Sequence, residues 1–366
     1  MDPHGPIARR FPLVARFRPA CLPLPARLSA LAALAERAVR HDEQGLASTV
    51  FNQAALLASD LGLPALARSM CRRHAEAYLR ACPLPAMSAI RGLEPVVNLA
   101  RLQIRAGRTD DGRQRLLDLY EAVGSSGSAV FESIAVPAAL TATAEARREV
   151  HAWLWRVVLA DGTRTLTSTG RWPEALAHIE RHRGVGTRML DGRQVAVVAA
   201  LTSGDSRRAA ALLADTTPGE PWERAVTACL TVLCRHDAGH RLDGCAAELV
   251  NTYLGRDAEP GLTVFDARLG ITVLDAVGPH HPGAGRIVEE LNRRITESLN
   301  GYAARDVLSH GPFTALSTES DAQACRDLVR SCGLGTGVLP EELASDLSAA
   351  LDRSEMVITR SLRNST

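Results

Sequence analysis

The chain has 366 residues, a formal net charge of +1 at pH 7, and 46% apolar against only 4% aromatic residues. All 42 basic residues are arginine, which excludes Schiff-base chemistry on a lysine, a Walker-A phosphate lysine and the strand lysine of a protein kinase. The near-neutral balance excludes general nucleic-acid binding, which needs a basic surplus, and no apolar run approaches the roughly 20 residues of a membrane span.

Residues 1–27 read as a Pro/Arg-rich arm. Pro3, Pro6, Pro12, Pro19, Pro23 and Pro25 break any helix there, and Arg9, Arg10, Arg16, Arg18 and Arg27 face a single acid, Asp2. The composition predicts a leader that is flexible or lies along the body, with contact to a partner or an anionic surface as its functional reading. From Leu28 to the end the period is helical. Val50, Ala54, Leu57 and Leu61 form one stripe, and Leu66, Met70, His74 and Tyr78 the next. Leu99, Leu102 and Ala106 precede Leu116, Leu119 and Val123. These spacings are those of amphipathic helices with one buried face. No period-2 run of useful length exists and no Asn-Gly joins two such runs as a hairpin turn, so essentially no sheet is expected. The segment Gly124–Thr143 reads as an insertion: Gly124, Ser125, Ser126, Gly127 and Ser128 suggest a hinge, and Val130, Phe131 and Ile134 an apolar stretch that folds over a groove or partner.

The organising feature is a recurring turn in which a helix ends at Gly, a few residues follow, and a helix opens on small or apolar residues. It occurs at Gly62, Gly107, Gly170, Gly204 and, more loosely, Gly239. Glycine supplies the left-handed cap. Gly170, Gly204 and Gly239 recur at the interval of a tetratricopeptide helix pair. The stretch Gly170-Arg171-Trp172-Pro173-Glu174-Ala175-Leu176 resembles the turn and second helix of such a repeat. The chain as a whole resembles the helical-repeat part of bacterial helix-turn-helix regulators, without the DNA-binding domain. The resemblance covers about residues 150–250 best. It implies an all-α, right-handed α-solenoid of antiparallel helix pairs over residues 28–366, binding a peptide or protein on its concave face.

Eight cysteines include no CxxC pair, and a chain of this length does not need disulfides. The expectation is reduced thiols in a cytoplasmic protein. Cys229, Cys234, His236, His240 and Cys245 invite a zinc reading, but their spacing on an apolar helix scatters them, so no metal and no cofactor is expected. His178 and His182 stand four apart in His-Ile-Glu-Arg-His, where Glu180 does not take the general-base place of H-E-x-x-H. Asp110 and Asp111 read as part of an inter-helix turn, with Asp111 as a helix N-cap. Gly333-x-Gly335-x-Gly337 ends at Pro340 and reads as a loop.

The remaining candidate is a polar groove. In a tetratricopeptide-like array the first helix of each pair would carry Asn52 and Gln53, then Asn98, Arg101 and Arg105, then Arg156 and Arg164, then Arg193 and Gln194. Guanidinium forks grip carboxylates bidentately, which favours an acidic peptide. The expected function is a peptide- or protein-binding module, regulatory or an adaptor in a biosynthetic pathway, with neither nucleic acid nor membrane as partner. The alternative is an enzyme holding a peptide-like or metabolite substrate in the groove, with His151, Asp161, His178 or His182 as acid–base groups.

Overall fold

Helices end where the chain can turn left-handed. Gly107 and Gly204 sit at φ +82° and +78°, and an added Cβ at either would meet nothing within 4 Å. Backbone conformation, not space, therefore demands glycine at both. Gly62, Gly170 and Gly239 share that φ sign. The structure is a computed structural model that describes residues 1–242 and 244–364.

The elements run α1 (Pro6–Arg10), α2 (Leu24–His41), α3 (Gln44–Asp60), α4 (Pro64–Leu79), α5 (Ala86–Arg105) and α6 (Thr109–Ser125). A hairpin follows, β1 (Ala129–Phe131) and β2 (Ile134–Val136), then α7 (Ala144–Val157), a π-helical turn (Val158–Gly162) and α8 (Thr163–Thr167). The second half holds α9 (Trp172–Arg181), α10 (Asp191–Thr202), α11 (Ser206–Ala214), α12 (Pro221–Asp237), α13 (Cys245–Leu254) and α14 (Thr263–Val277). It closes with α15 (Ala284–Ser298), α16 (Gly301–Leu308), α17 (Gly311–Leu316), α18 (Glu319–Ser331) and α19 (Glu341–Arg363). The fold is all-α apart from the hairpin, the one sheet among the described residues. No helix among them is long and apolar enough to cross a membrane.

Contacts group the chain into two units, each assembled from two stretches of sequence. The α2–α7 unit comprises Leu24–Thr165 and the chain from Gly333 on. Each helix from α2 to α7 packs on the next, α3 also touches α5, α5 touches α7, and α19 returns onto α2, α3 and α4. Val50, Ala54 and Leu57 of α3, Ala67 and Ala75 of α4, and Leu93 and Val96 of α5 build the core with Leu347, Leu351 and Ile358 of α19. Alanine at the crossings lets the helices approach closely. The glycine loop before α19 is a cap: Gly335 N–H donates to Asp60 O (2.8 Å) and Gly337 N–H to Leu61 O (2.7 Å), satisfying carbonyls at the end of α3. Asp110 and Asp111 lie in the first turn of α6, whose N-cap is Arg108, so the N-cap expected at Asp111 starts earlier in the chain.

The hairpin is the small exception to an expectation of essentially no sheet. Its register pairs Phe131 with Ile134, leaving Glu132 and Ser133 as a two-residue turn with φ +44° and +73°. That is the positive-φ pattern of tight hairpins, made here without Asn or Gly. Phe131, Ile134 and Val136 are buried and the strands contact α6 and α4. The expected cover is thus a connection packed on its own unit, with Val130 as its exposed apolar residue (72%).

The α9–α18 unit comprises Met1–Pro23 and Leu166–Cys332. Here α10 packs on α9 and α11, α12 on α11 and α13, and α14 on α13 and α15. The alternate helices α10, α12, α14 and α16 also touch in succession. Residues 1–23 group with this unit by their contacts. Ala8, Phe11, Leu13 and Cys21 are buried in it, and α1 packs on α14. Arg27, by contrast, lies on α2, where it pairs with Asp60 at 2.8 Å.

Candidate functional site

Two polar constellations stand out, one in each unit. In the α2–α7 unit, residues 88, 91, 94, 98, 101 and 105 recur every three or four positions along α5 and share a face. Ser88 and Arg91 donate to Gln44 Oε1 on α3 (3.1 and 2.8 Å). Asn52 of α3 donates to Glu94 (2.7 Å) and accepts from Asn98 (3.0 Å). Arg101 donates to Asn98 Oδ1 (3.0 Å) and, through Nε and Nη2, to one oxygen of Asp161 (3.1 and 2.8 Å). Arg105 reaches Ser59 Oγ (2.7 Å) and lies 3.6 Å from Asp60. Burial pushes the Glu94 carboxyl above its usual range, against the pull of Asn52, Arg91 and Arg101.

This face brings Asn98, Arg101, Arg105 and Asp161 together. Arg101 and Arg105 are half exposed, so a carboxylate from outside could reach them in competition with Asp161 and Asp60. The other expected groove arginines are placed differently. Arg156 is exposed on α7 and Arg164 is exposed on α8. Arg193 belongs to the other unit and is buried, its guanidinium donating to Leu212 O (2.7 Å), Thr216 Oγ1 (3.3 Å) and Asp215 (3.2 Å). It ties α10 to the end of α11.

The acid–base candidates divide between the units. His151 stacks on Tyr120, centroids 4.1 Å apart, and burial lowers its pKa. Asp161 is engaged by Arg101. His178 and His182 lie in the α9–α18 unit with rings 4.8 Å apart, His178 buried and His182 lowered by burial and then by Arg181. Among the described residues no group of three or more His, Cys, Asp or Glu side chains is arranged to hold a metal ion. Cys229 is a buried thiol pushed up to about 12 by desolvation, as a core residue would be.

The second constellation holds residues 10–18 against the α10–α16 layer. The Gln194 carboxamide accepts from Leu13 N–H (2.6 Å) and donates to Leu13 O (2.7 Å), while a further bond to Met189 O (3.0 Å) fixes its orientation. One side chain thus satisfies both polar groups of one peptide residue. Upstream, Arg10 pairs with Asp275 (2.5 Å) and touches Thr272 Oγ1 (3.4 Å). The other Asp275 oxygen meets His310 Nε2 (2.9 Å), and His310 Nδ1 accepts from Phe313 N–H (3.2 Å). The His310 and Arg10 bonds together hold Asp275 below the usual carboxylate range, against the desolvation that would raise it. Downstream, Arg16 pairs with Asp191 (2.7 Å), Arg18 N–H donates to Gly261 O (3.0 Å), and the Arg18 guanidinium lies 4.0 Å over the Tyr302 ring.

The α5 face was legible because its residues share one helix and one period. In the second constellation Gln194 was legible as a polar residue on a first helix. Asp191, Asp275, His310 and Tyr302 were not, since their common partner is the arm and no local pattern announces it. No protein-family model, curated protein or solved structure matches the chain.

Proposed function

We propose that the chain is a peptide- or protein-binding helical-repeat module of regulatory or adaptor type, its helix pairs stacked as a tetratricopeptide-like array. The observation that carries this reading is the Gln194 carboxamide bonded to both the N–H and the C=O of Leu13. Main-chain bonds of this kind hold any extended peptide, and neighbouring pockets choose among side chains. The array is supported by the alternate-helix contacts α3–α5–α7 and α10–α12–α14–α16, and by left-handed glycines at the turns. On the α5 face, Arg101 and Arg105 favour an acidic ligand that replaces Asp161 and Asp60.

The test is fluorescence anisotropy of the full chain with labelled acidic, neutral and basic peptides. Acidic peptides are expected to bind best. Arg101→Ala and Arg105→Ala should each weaken that binding about ten- to a hundredfold while leaving the circular dichroism unchanged. The loss should be larger at low salt, because half-exposed charges are screened. Lysine should rescue only in part, since an ammonium cannot form the fork. If no peptide class binds below millimolar concentration, the α5 face is not a peptide-binding site. If acidic peptides bind the alanine variants as they bind wild type, the α5 face is not the site.

A further inference from the structure

We infer that the face of α10, α14 and α16 is a binding groove for extended peptides of arginine–aromatic–proline–leucine character, and that residues 10–18 of the chain itself are its resident occupant. An outside ligand would then bind by displacing this segment. The inference rests on the peptide-binding reading and deepens it by naming a second ligand class and the device that guards its site.

The argument starts from how the segment is held. Arg10-Phe11-Pro12-Leu13 contributes one charged and three apolar side chains in a row, and Phe11, Pro12 and Leu13 are all buried. Each contact is of a type that a separate peptide could make. The Arg10 guanidinium enters a socket whose acid, Asp275, is oriented from behind by His310. The Leu13 main chain is read by Gln194, whose amide is fixed beforehand by Met189 O. Such preorganisation favours recognition, because little ordering remains to be done on binding. Beyond Leu13 the grip loosens. Arg16 is half exposed on its ion pair with Asp191, and Phe17 is 75% exposed. Charge is complementary as well: Arg10 and Arg16 meet Asp275 and Asp191. Arg10 closes α1, which packs on α14, but residues 11–18 beyond it are secured by neither a helix–helix seam nor a strand ladder.

Tethering explains how such a groove would be guarded. A segment of the same chain competes at an effective concentration in the millimolar range, so a free peptide of equal affinity is outcompeted until it reaches that level. Weakening the resident side chains lowers this barrier without touching the sockets.

The experiment uses the full chain and one probe, a fluorescein-labelled synthetic peptide with the sequence of residues 5–20. Wild type is expected to ignore the probe below about millimolar concentration. The Arg10→Ala/Leu13→Ala chain, its sockets intact, should bind it at least tenfold more tightly than wild type. Adding Gln194→Ala to that chain should remove at least tenfold of the gain, and a scrambled probe should not bind. A folded double variant that ignores the probe, or takes the scrambled peptide equally well, overturns the inference. Should the double variant not fold, hydrogen exchange on wild type decides instead. Exchange of the Leu13 and Arg18 amides well ahead of the α14 amides shows a segment that opens by itself, and exchange in step with α14 overturns the proposal. Failure here with acidic-peptide binding at Arg101 and Arg105 intact sinks only this inference. Failure of both sinks the module reading too.

Discussion

His74 is fully buried on α4, its ring stacked on Phe51 at a centroid distance of 4.9 Å and its Nε2 3.2 Å from Ser48 Oγ, which in turn meets Tyr78 at 2.6 Å. Its place on the stripe with Met70 and Tyr78 could be read from the sequence, because that depends only on helical period. Ser48 and Phe51 could not be named as its neighbours, because they come from α3. Desolvation pushes the imidazole down to about 3, from 6.5 in the unfolded chain. The unfolded state therefore takes up a proton that the folded state refuses as pH falls below 6.5. Stability from this group is complete above that value and is lost on acidification, by about 1.4 kcal/mol per pH unit. His151 and His182, also lowered, act in the same direction. The carboxylates held low, Asp275 and Glu223, contribute at more acidic pH, whereas Glu94 and Asp266, held high by burial, act in the opposite direction, so the difference between wild type and a His74 variant, not the wild-type slope alone, reports the histidine between about pH 6.5 and 5. His74→Phe keeps the stack and removes the titration. Urea unfolding at three pH values in that interval should show the variant losing stability less steeply than wild type, by nearly one proton. Equal slopes would mean that His74 is not buried neutral.

At the scale of elements, the helices were legible and the hairpin was not, for one physical reason. A helix of four turns repeats its apolar face several times, and glycine marks its end because few other residues tolerate positive φ. Strands of three residues repeat nothing, and the hairpin turn uses Glu132 and Ser133, which carry no such mark. What holds the turn is tertiary. Glu132 is bonded by Gln103 and lies 3.6 and 3.7 Å from Arg68 and Arg72 of α4. The same limit applies to the α5 face, where the donors share a helix but the acceptor Asp161 stands 60 residues away. The turn makes a sharp expectation. A β-branched side chain at φ +73° clashes with its own backbone, so Ser133→Val should lower stability by about 1–2 kcal/mol. Ser133→Gly, which adopts that φ freely, should be neutral or slightly stabilising. Denaturant midpoints of the two variants check this, and a Val variant as stable as the Gly variant would show that the turn does not hold this conformation in solution.

At the scale of the molecule, chain order conceals how each unit is closed. Local periodicity shows which residues of α19 face inward, but not that they meet α2, α3 and α4, some three hundred positions upstream. Likewise, nothing local in residues 1–23 announces that they complete a unit built from 166–332. The closure by α19 is testable. Leu347, Ala350, Leu351, Ser354, Val357, Ile358 and Leu362 form its buried stripe, and Ile358 is entirely buried. Surface pairs add to the docking, Arg73 with Asp352 at 2.7 Å and Arg360 with Asp42 at 2.6 Å, but exposed pairs of this kind contribute at most about 1 kcal/mol each. The apolar stripe therefore dominates. Ile358→Ala removes the bulk that fills the space between α19 and its partners, and a cavity at such a site costs about 2–5 kcal/mol. If α19 is an integral wall of the α2–α7 unit, the loss of stability must appear in the helices it covers. Hydrogen exchange of Ile358→Ala should therefore show reduced protection across residues 24–79 as well as across α19. Were the change confined to residues 341–363, α19 would be an appendage that can peel away. The core of the α2–α7 unit would then have to be sought within residues 24–165 alone.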